Sequence, residues 1–197
     1  MIAEHAVSSS AMAYQLKRRA ESQEQTRRKI VEATIELHRT VGAAGTTISG
    51  IAQRAGVGRV TVYRHFPDEL SLLQACTGHY FAQHPSPDLS AWERIADPHE
   101  RLRAGLSESY AWHRANSEMI AQGLADVRDH EVMLPYHAYW AQAAEVLVAP
   151  FKLRGRRRRL LLAAIATALS FDTWRTLVLE QGLSDADAVE VALRLAA

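Results

Sequence analysis

Apolar positions along this 197-residue chain recur at spacings of three, four and seven, as in helices of 3.6 residues per turn, and no stretch alternates as a strand would. Residues 26–41 carry Ile30, Ala33, Thr34, Leu37 and Val41 on one face and end at Gly42, which predicts a first helix. In 47–55, Ile48, Ile51, Ala52 and Ala55 form a second stripe behind Thr47, a residue suited to cap a helix N-terminus. Gly56 can take a positive φ, so the chain turns sharply there, and Val57 plugs the corner. A short helix follows, with Val62 and Phe66 inward at i and i+4. Arg59, Val60, Thr61 and Arg64 then point away from the core, flanked by Tyr63 and His65.

Pro67 and Asp68 close that helix, and Asp68 caps a fourth with Leu70, Leu73, Thr77 and Phe81 in line. His84, Pro85, Ser86 and Pro87 break the pattern and place a domain boundary between 26–83 and 84–197. Residues 1–25 show little periodicity and are expected as a disordered tail, in which Lys17, Arg18 and Arg19 read either as a DNA-tracking arm or as solvated charge. Asp97, Pro98 and Glu100 then open a helix to about 116, with Leu102, Leu106, Tyr110 and His113 on one side. Ser117 caps a shorter helix to 127, and 132–149 forms the next, rich in aromatics and stopped by Pro150. The arginine run in 154–159 reads as a solvated loop and helix start, or as a second nucleic-acid patch. Residues 160–181 begin apolar on every face and should be buried on most sides. Ser184 with Asp187 opens a last helix, whose stripe is Val189, Ala192, Leu193 and Ala196.

Charge divides this all-α chain unevenly. The net charge is only +1, yet residues 1–66 hold ten Lys and Arg against five Asp and Glu, while the remainder is mildly acidic. A basic head on a neutral platform suits a polyanionic partner. Cys76 is the only cysteine, so the chain can form no internal disulfide and no cysteine-based zinc site, which fits a reducing cytoplasm. The longest apolar run, about twelve residues in 160–171, is too short to span a bilayer, and no membrane role is expected.

Helix, glycine turn and a short helix with a basic, hydroxyl-bearing outer face form a helix-turn-helix. Arginine can fork onto guanine O6 and N7, and threonine offers a hydroxyl and a methyl to a base edge. Tyr63 and His65 can donate to phosphates, Thr47 marks a phosphate-binding helix N-terminus, and Arg28 reads as a phosphate contact or as a solvated face. The run Gly-Val-Gly-Arg-Val-Thr-Val-Tyr-Arg-His-Phe at 56–66, preceded by Thr-Thr-Ile and Ile-Ala, resembles the signature of the tetracycline repressor (TetR) family, over roughly residues 26–81. The chain departs from the family at Gly58, where serine is usual, at Val60, where a small residue is usual, and at Glu69, where a lysine would contact phosphate. His38 stands where the family buries a phenylalanine and reads as a core histidine.

The resemblance implies a three-helix DNA-binding domain, a helical ligand-binding and dimerisation domain, and a homodimer formed through the last two helices. Its function would be that of a transcriptional regulator, most often a repressor, which leaves a palindromic operator in double-stranded DNA when a small-molecule effector binds. Trp112, Met119, Tyr136, Tyr139, Trp140, Phe171 and Trp174 could line an apolar effector cavity, with His113, Gln122 and Asp172 as polar anchors, or be ordinary core. Two other readings stay open: a dimeric regulator without an effector, and a small-molecule binder whose reading head has weakened. No phosphate loop, nucleophile elbow or zinc-protease helix occurs, so no enzymatic activity and no cofactor are expected. Asp129, His130 and Glu131 invite a metal reading, but the expectation is that no metal binds.

Overall fold

The computed structural model describes residues 3–128 and 130–196, with only the backbone placed for 3–11, 13, 126 and 127. Asp129, one of the three residues in the metal reading, lies outside them. The regular structure of the described residues is all helical, with no strand among them. They divide into two compact units that meet in sequence between Tyr80 and Phe81.

The first unit holds α1 (Ala3–Gly45), α2 (Ile48–Ala55), α3 (Arg59–His65) and most of α4 (Glu69–Gln83). α1 runs back to Ala3, so residues 3–25 of the expected disordered tail are helical. Its residues 12–25 are mostly strong helix formers, and Lys17 lies 4.0 Å from Glu21 one turn on. At the other end Gly42 leaves helical geometry at φ 75°, and Val41, predicted to face inward, is exposed. Ile35 and Leu37 are the last α1 residues packed on the core cluster, and Val41, one turn on and next to the kink, lies beyond it. Ile30, Val31, Ile51, Ala52, Val62, Phe66, Leu72 and Cys76 form one buried cluster that clamps α2 and α3 against α1 and α4. Burial pushes the Cys76 thiol up to about 12, so it packs as a small hydrophobe and is unreactive.

The second unit runs through α5 (Leu89–Glu93), α6 (Pro98–Ala115), α7 (Ser117–Val127), α8 (Leu134–Val148), α9 (Gly155–Leu169), α10 (Phe171–Arg175) and α11 (Asp185–Leu195). Asp97 caps α6 by accepting from the amides of His99 and Glu100, and Ser184 caps α11 by accepting from Asp187. α6 and α8 approach so closely that a Cβ on Gly105 would fall 2.7 Å from the Leu147 side chain. The single helix expected over 160–181 is instead two, bent by 55° at Ser170. Ser170 takes extended geometry, and its hydroxyl accepts from the Thr173 amide, so a side-chain cap starts a new helix where periodicity alone runs on. α9 also starts at Gly155, which puts most of the arginine run in its first turn. Among the described residues no single helix is long and apolar enough to cross a membrane.

Candidate nucleic-acid interface

The turn between α2 and α3 fixes the face that α3 presents. Thr47 Oγ1 accepts from the Gly50 amide at 3.1 Å and starts α2. At the other end Gly56 sits at φ 68°, ψ 35°. Its amide donates to Gln53 O at 3.3 Å and the Val57 amide to Ala52 O at 2.9 Å, a Schellman closure that satisfies the last carbonyls of α2. α3 then leaves at an angle held by Val62 and Phe66, which are 0% and 2% exposed. Arg27 of α1 stacks its guanidinium 5.0 Å from the Phe66 ring.

With those residues inward, the opposite face of α3 is open. Val60 is 80% exposed and Tyr63 48%, with Arg59 and Arg64 exposed beside them. Thr61 is half-buried at the margin. His65 is also half-buried, and its Nε2 is enclosed without a partner. Its pKa is lowered by burial and then by Arg64 and Arg27, with Glu24 opposing, so the ring is neutral at pH 7 and presents less to a phosphate than a free imidazole would. Thr47 and Arg28 are exposed. The sequence missed Arg27, whose contact with Phe66 depends on how α1 and α3 cross. It missed too the Arg54–Glu36 ion pair, in which two guanidinium nitrogens clamp α2 onto α1. His38 is half-buried in a hollow shared with Tyr63 and Phe66.

Where α4 begins, Asp68 Oδ1 accepts from the Ser71 amide at 2.7 Å, and Glu69 stands exposed in the first turn. Two carboxylates therefore occupy the positive end of this helix, where a phosphate would otherwise be welcome.

In the body, the residues chosen as a candidate effector site come together around His113. Its ring lies 4.8 Å from Trp140, 5.6 Å from Phe171, 5.7 Å from Trp112 and 6.1 Å from Trp174. Tyr136 and Tyr139 each meet Trp140, and Phe81, which the sequence assigned only to a helix stripe, lies 6.1 Å from Trp112 and 6.5 Å from Tyr136. Met119 and Gln122 are half-buried on α7. Asp172 is not a pocket anchor: it pairs with Arg128 at 3.1 Å and with Arg175 at 3.7 Å, about half exposed. The Tyr139 hydroxyl donates to Pro87 O at 2.7 Å. His130 Nδ1 accepts from the Val132 amide, a cap rather than a ligand position, and no His, Cys, Asp or Glu group among the described residues could hold a metal ion.

Residues 30–76 match the family model described as bacterial regulatory proteins, tetR family. The match begins at Ile30 and ends at Cys76, both members of the cluster that holds α2 and α3. SrpR, an HTH-type transcriptional regulator of Pseudomonas putida, is 38% identical over 80 residues, covering 36% of this chain and 37% of SrpR. TtgW, an uncharacterized HTH-type transcriptional regulator also of Pseudomonas putida, is 38% identical over 84 residues, covering 39% of this chain and 60% of TtgW. The chain thus spans less than two thirds of the length of either curated relative. The multidrug binding protein EbrR, solved with imidazole, shares the fold with a TM-score of 0.55 at 23% identity, over 86% of this chain and 88% of that one.

Proposed function

We propose, for a chain that belongs through residues 30–76 to the TetR family of bacterial regulatory proteins, a homodimer whose two α3 helices read a palindromic operator and whose body answers to a small apolar or aromatic effector. The observation that carries this reading is the outer face of α3. A β-branched residue 80% exposed between two arginines, on a helix locked from behind, is poorly placed for water and well placed for a groove. Arg59 and Arg64 suit guanine edges, and Val60 suits a thymine methyl. Thr61 serves from the margin. Tyr63, the Thr47 end of α2 and Arg28 suit phosphates, with His65 a weaker contributor.

The dimer rests on surface that one copy leaves uncovered. Leu160 of α9 is 55% exposed and Leu195 of α11 is 61% exposed, beside a groove of roughly 790 Å³ lined also by Leu153, Leu161, Ala164 and Leu193. A second copy packed through these helices would cover it, and two-fold symmetry would set the reading helices about one DNA turn apart, roughly 34 Å, or a multiple of it. Such a protein works in the cytoplasm as a repressor, released when the effector favours a state that fits the operator poorly, through different affinities for the two states. EbrR, which is named as a multidrug binding protein, supports an effector role for the body.

The test is selection of binding sites from random duplexes by the full chain, followed by gel-shift titration at several salt concentrations. A two-fold symmetric consensus bound with a steep salt dependence is expected. Binding without sequence preference would leave a head that holds DNA but does not read it. A second reading, a dimeric regulator without effector, is favoured by the close ring contacts around His113, and a melting screen that finds no stabilising ligand would select it.

A further inference from the structure

Two buried polar atoms in the body have nothing to bond, and they sit on neighbouring rings. His113 on α6 is 0% exposed, and its Nε2 lies 2.9 Å from the backbone oxygen of Leu169. A carbonyl can only accept, so Nε2 carries the ring's hydrogen. Burial drives the imidazole pKa down to about 4, which leaves the ring neutral at pH 7 and Nδ1 a bare lone pair. That lone pair has no partner. Trp140, 4.8 Å away, likewise holds its Nε1–H buried and unbonded, with the Tyr136 hydroxyl beside it but short of hydrogen-bond geometry.

The other indoles around His113 are already committed. Trp112 donates to His84 O at 3.3 Å and Trp174 to Asp185 Oδ1 at 3.2 Å, so both offer the cluster only apolar surface. One acceptor and one donor therefore stand unpaired among aromatic rings, with the Tyr136 hydroxyl as the other polar group beside them. Buried polar groups are nearly always paired, and the complement of an acceptor beside a donor is a hydroxyl, which gives a hydrogen to one and takes one from the other. Trp140 is half-buried, so the ring next to His113 is itself partly open to solvent.

We propose that Nδ1 of His113 is the specificity-determining atom of the effector site, and that it selects a flat apolar molecule bearing a hydroxyl, which donates to Nδ1 while its oxygen accepts from Trp140. The inference rests on the effector reading above and names the class of molecule. It also names what feels the ligand. The same imidazole caps the last carbonyl of α9, next to Tyr110, whose hydroxyl donates to Ala168 O at 3.0 Å. A hydrogen bond received at Nδ1 polarises the Nε2–H that holds Leu169, so occupancy is felt where α9 breaks into α10.

Calorimetric titration of the full chain with 2-naphthol and with 2-methoxynaphthalene tests this. The ether keeps the ring and the oxygen but has no hydrogen to give, and its extra methyl would be preferred by a purely apolar site. The naphthol is expected to bind at least about tenfold tighter. His113→Gln, whose amide nitrogen can still reach Leu169 but which puts no acceptor at the Nδ1 position, should bind both alike. His113→Asn, with its oxygen near that position, should keep part of the preference. Equal affinities in the unaltered chain, or failure of both probes to bind, overturn the inference, and the melting screen decides separately whether the effector reading stands. A preference that survives in His113→Gln puts binding elsewhere and also overturns the inference.

Discussion

Replacing Gly56 by alanine should weaken the first unit by about 1 kcal/mol and leave the second untouched. Gly56 occupies the left-handed region at φ 68°, where an L side chain costs about 1–2 kcal/mol. A Cβ at that position meets no atom within 4 Å, so no clash adds to the backbone cost. Both hydrogen bonds of the turn use backbone atoms and survive the change. Alanine also restricts the unfolded chain, which returns about 0.4–1 kcal/mol and brings the net loss to roughly 1 kcal/mol. Gly78 gives a control of opposite sign, because it lies on exposed α4 surface with nothing within 4 Å of an added Cβ, and alanine there should stabilise by about 0.5–1 kcal/mol. Urea unfolding can separate the two units. All four tryptophans lie beyond Tyr80, so their fluorescence follows the body, while far-ultraviolet circular dichroism follows both units. For Gly56→Ala the dichroism should lose stability and the fluorescence midpoint should stay. A change of less than about 0.3 kcal/mol, or a shifted fluorescence midpoint, would refute the assignment of this turn.

Arg59→Ala should relax preference at one or two operator positions per half-site, at about 1–3 kcal/mol, whereas Tyr63→Phe should weaken all sequences evenly. Competition gel shifts decide between them, and equal losses on every sequence for both changes contradict these roles. Glu69→Lys, which puts a cation where the family usually has one, should steepen the slope of log affinity against log salt by about 0.9 per half-site; an unchanged slope means that α4 begins away from any phosphate. Leu160→Asp should reduce the mass seen in sedimentation to that of the 21.9 kDa single chain, and a persistent dimer excludes this part of α9 from the interface. His113 makes the body sensitive to mild acid: its folded pKa of about 4 lies below the unfolded value of 6.5, so protons bind the unfolded chain first as pH falls. Stability is therefore complete above about pH 6.5 and should drop by about 2 kcal/mol between pH 7 and pH 5, a loss that His113→Gln removes in fluorescence-monitored urea unfolding.

The all-helical class and the caps were legible because they are local. Thr47, Asp68, Asp97 and Ser184 each accept from an amide two or three residues ahead, a bond that needs nothing from the rest of the fold. The same locality explains where the reading stopped. Ser170 lies inside an apolar stretch that reads as one helix, and only the extended geometry it takes turns it into a cap. Residues 12–25 lack an apolar face, so periodicity says nothing of them, although their propensity favours helix. Asp88 caps α5 by accepting from the Ser90 amide at 2.9 Å, and that helix went unread because its five residues are too few to show a period.

The two candidate sites differ in legibility for a physical reason. Which side of α3 faces out follows from the period once Val62 and Phe66 are known to be in, so Arg59, Val60, Tyr63 and Arg64 could be named from spacing. A cluster inside a helical body is assembled from α4, α6, α8 and α10, and each stripe shows only that a residue is inward, never what it meets. Trp174 and Trp140 look alike in the sequence. One spends its N–H on Asp185, while the other keeps it, buried, beside a histidine lone pair that is also unspent. Aromatic content marks both as core; only the hydrogen-bond account separates filler from a position built to receive something. On the effector reading proposed above, mutations at Trp174 should therefore act through packing, whereas those at Trp140 should change recognition, and those at His113 should change both recognition and the bond to Leu169.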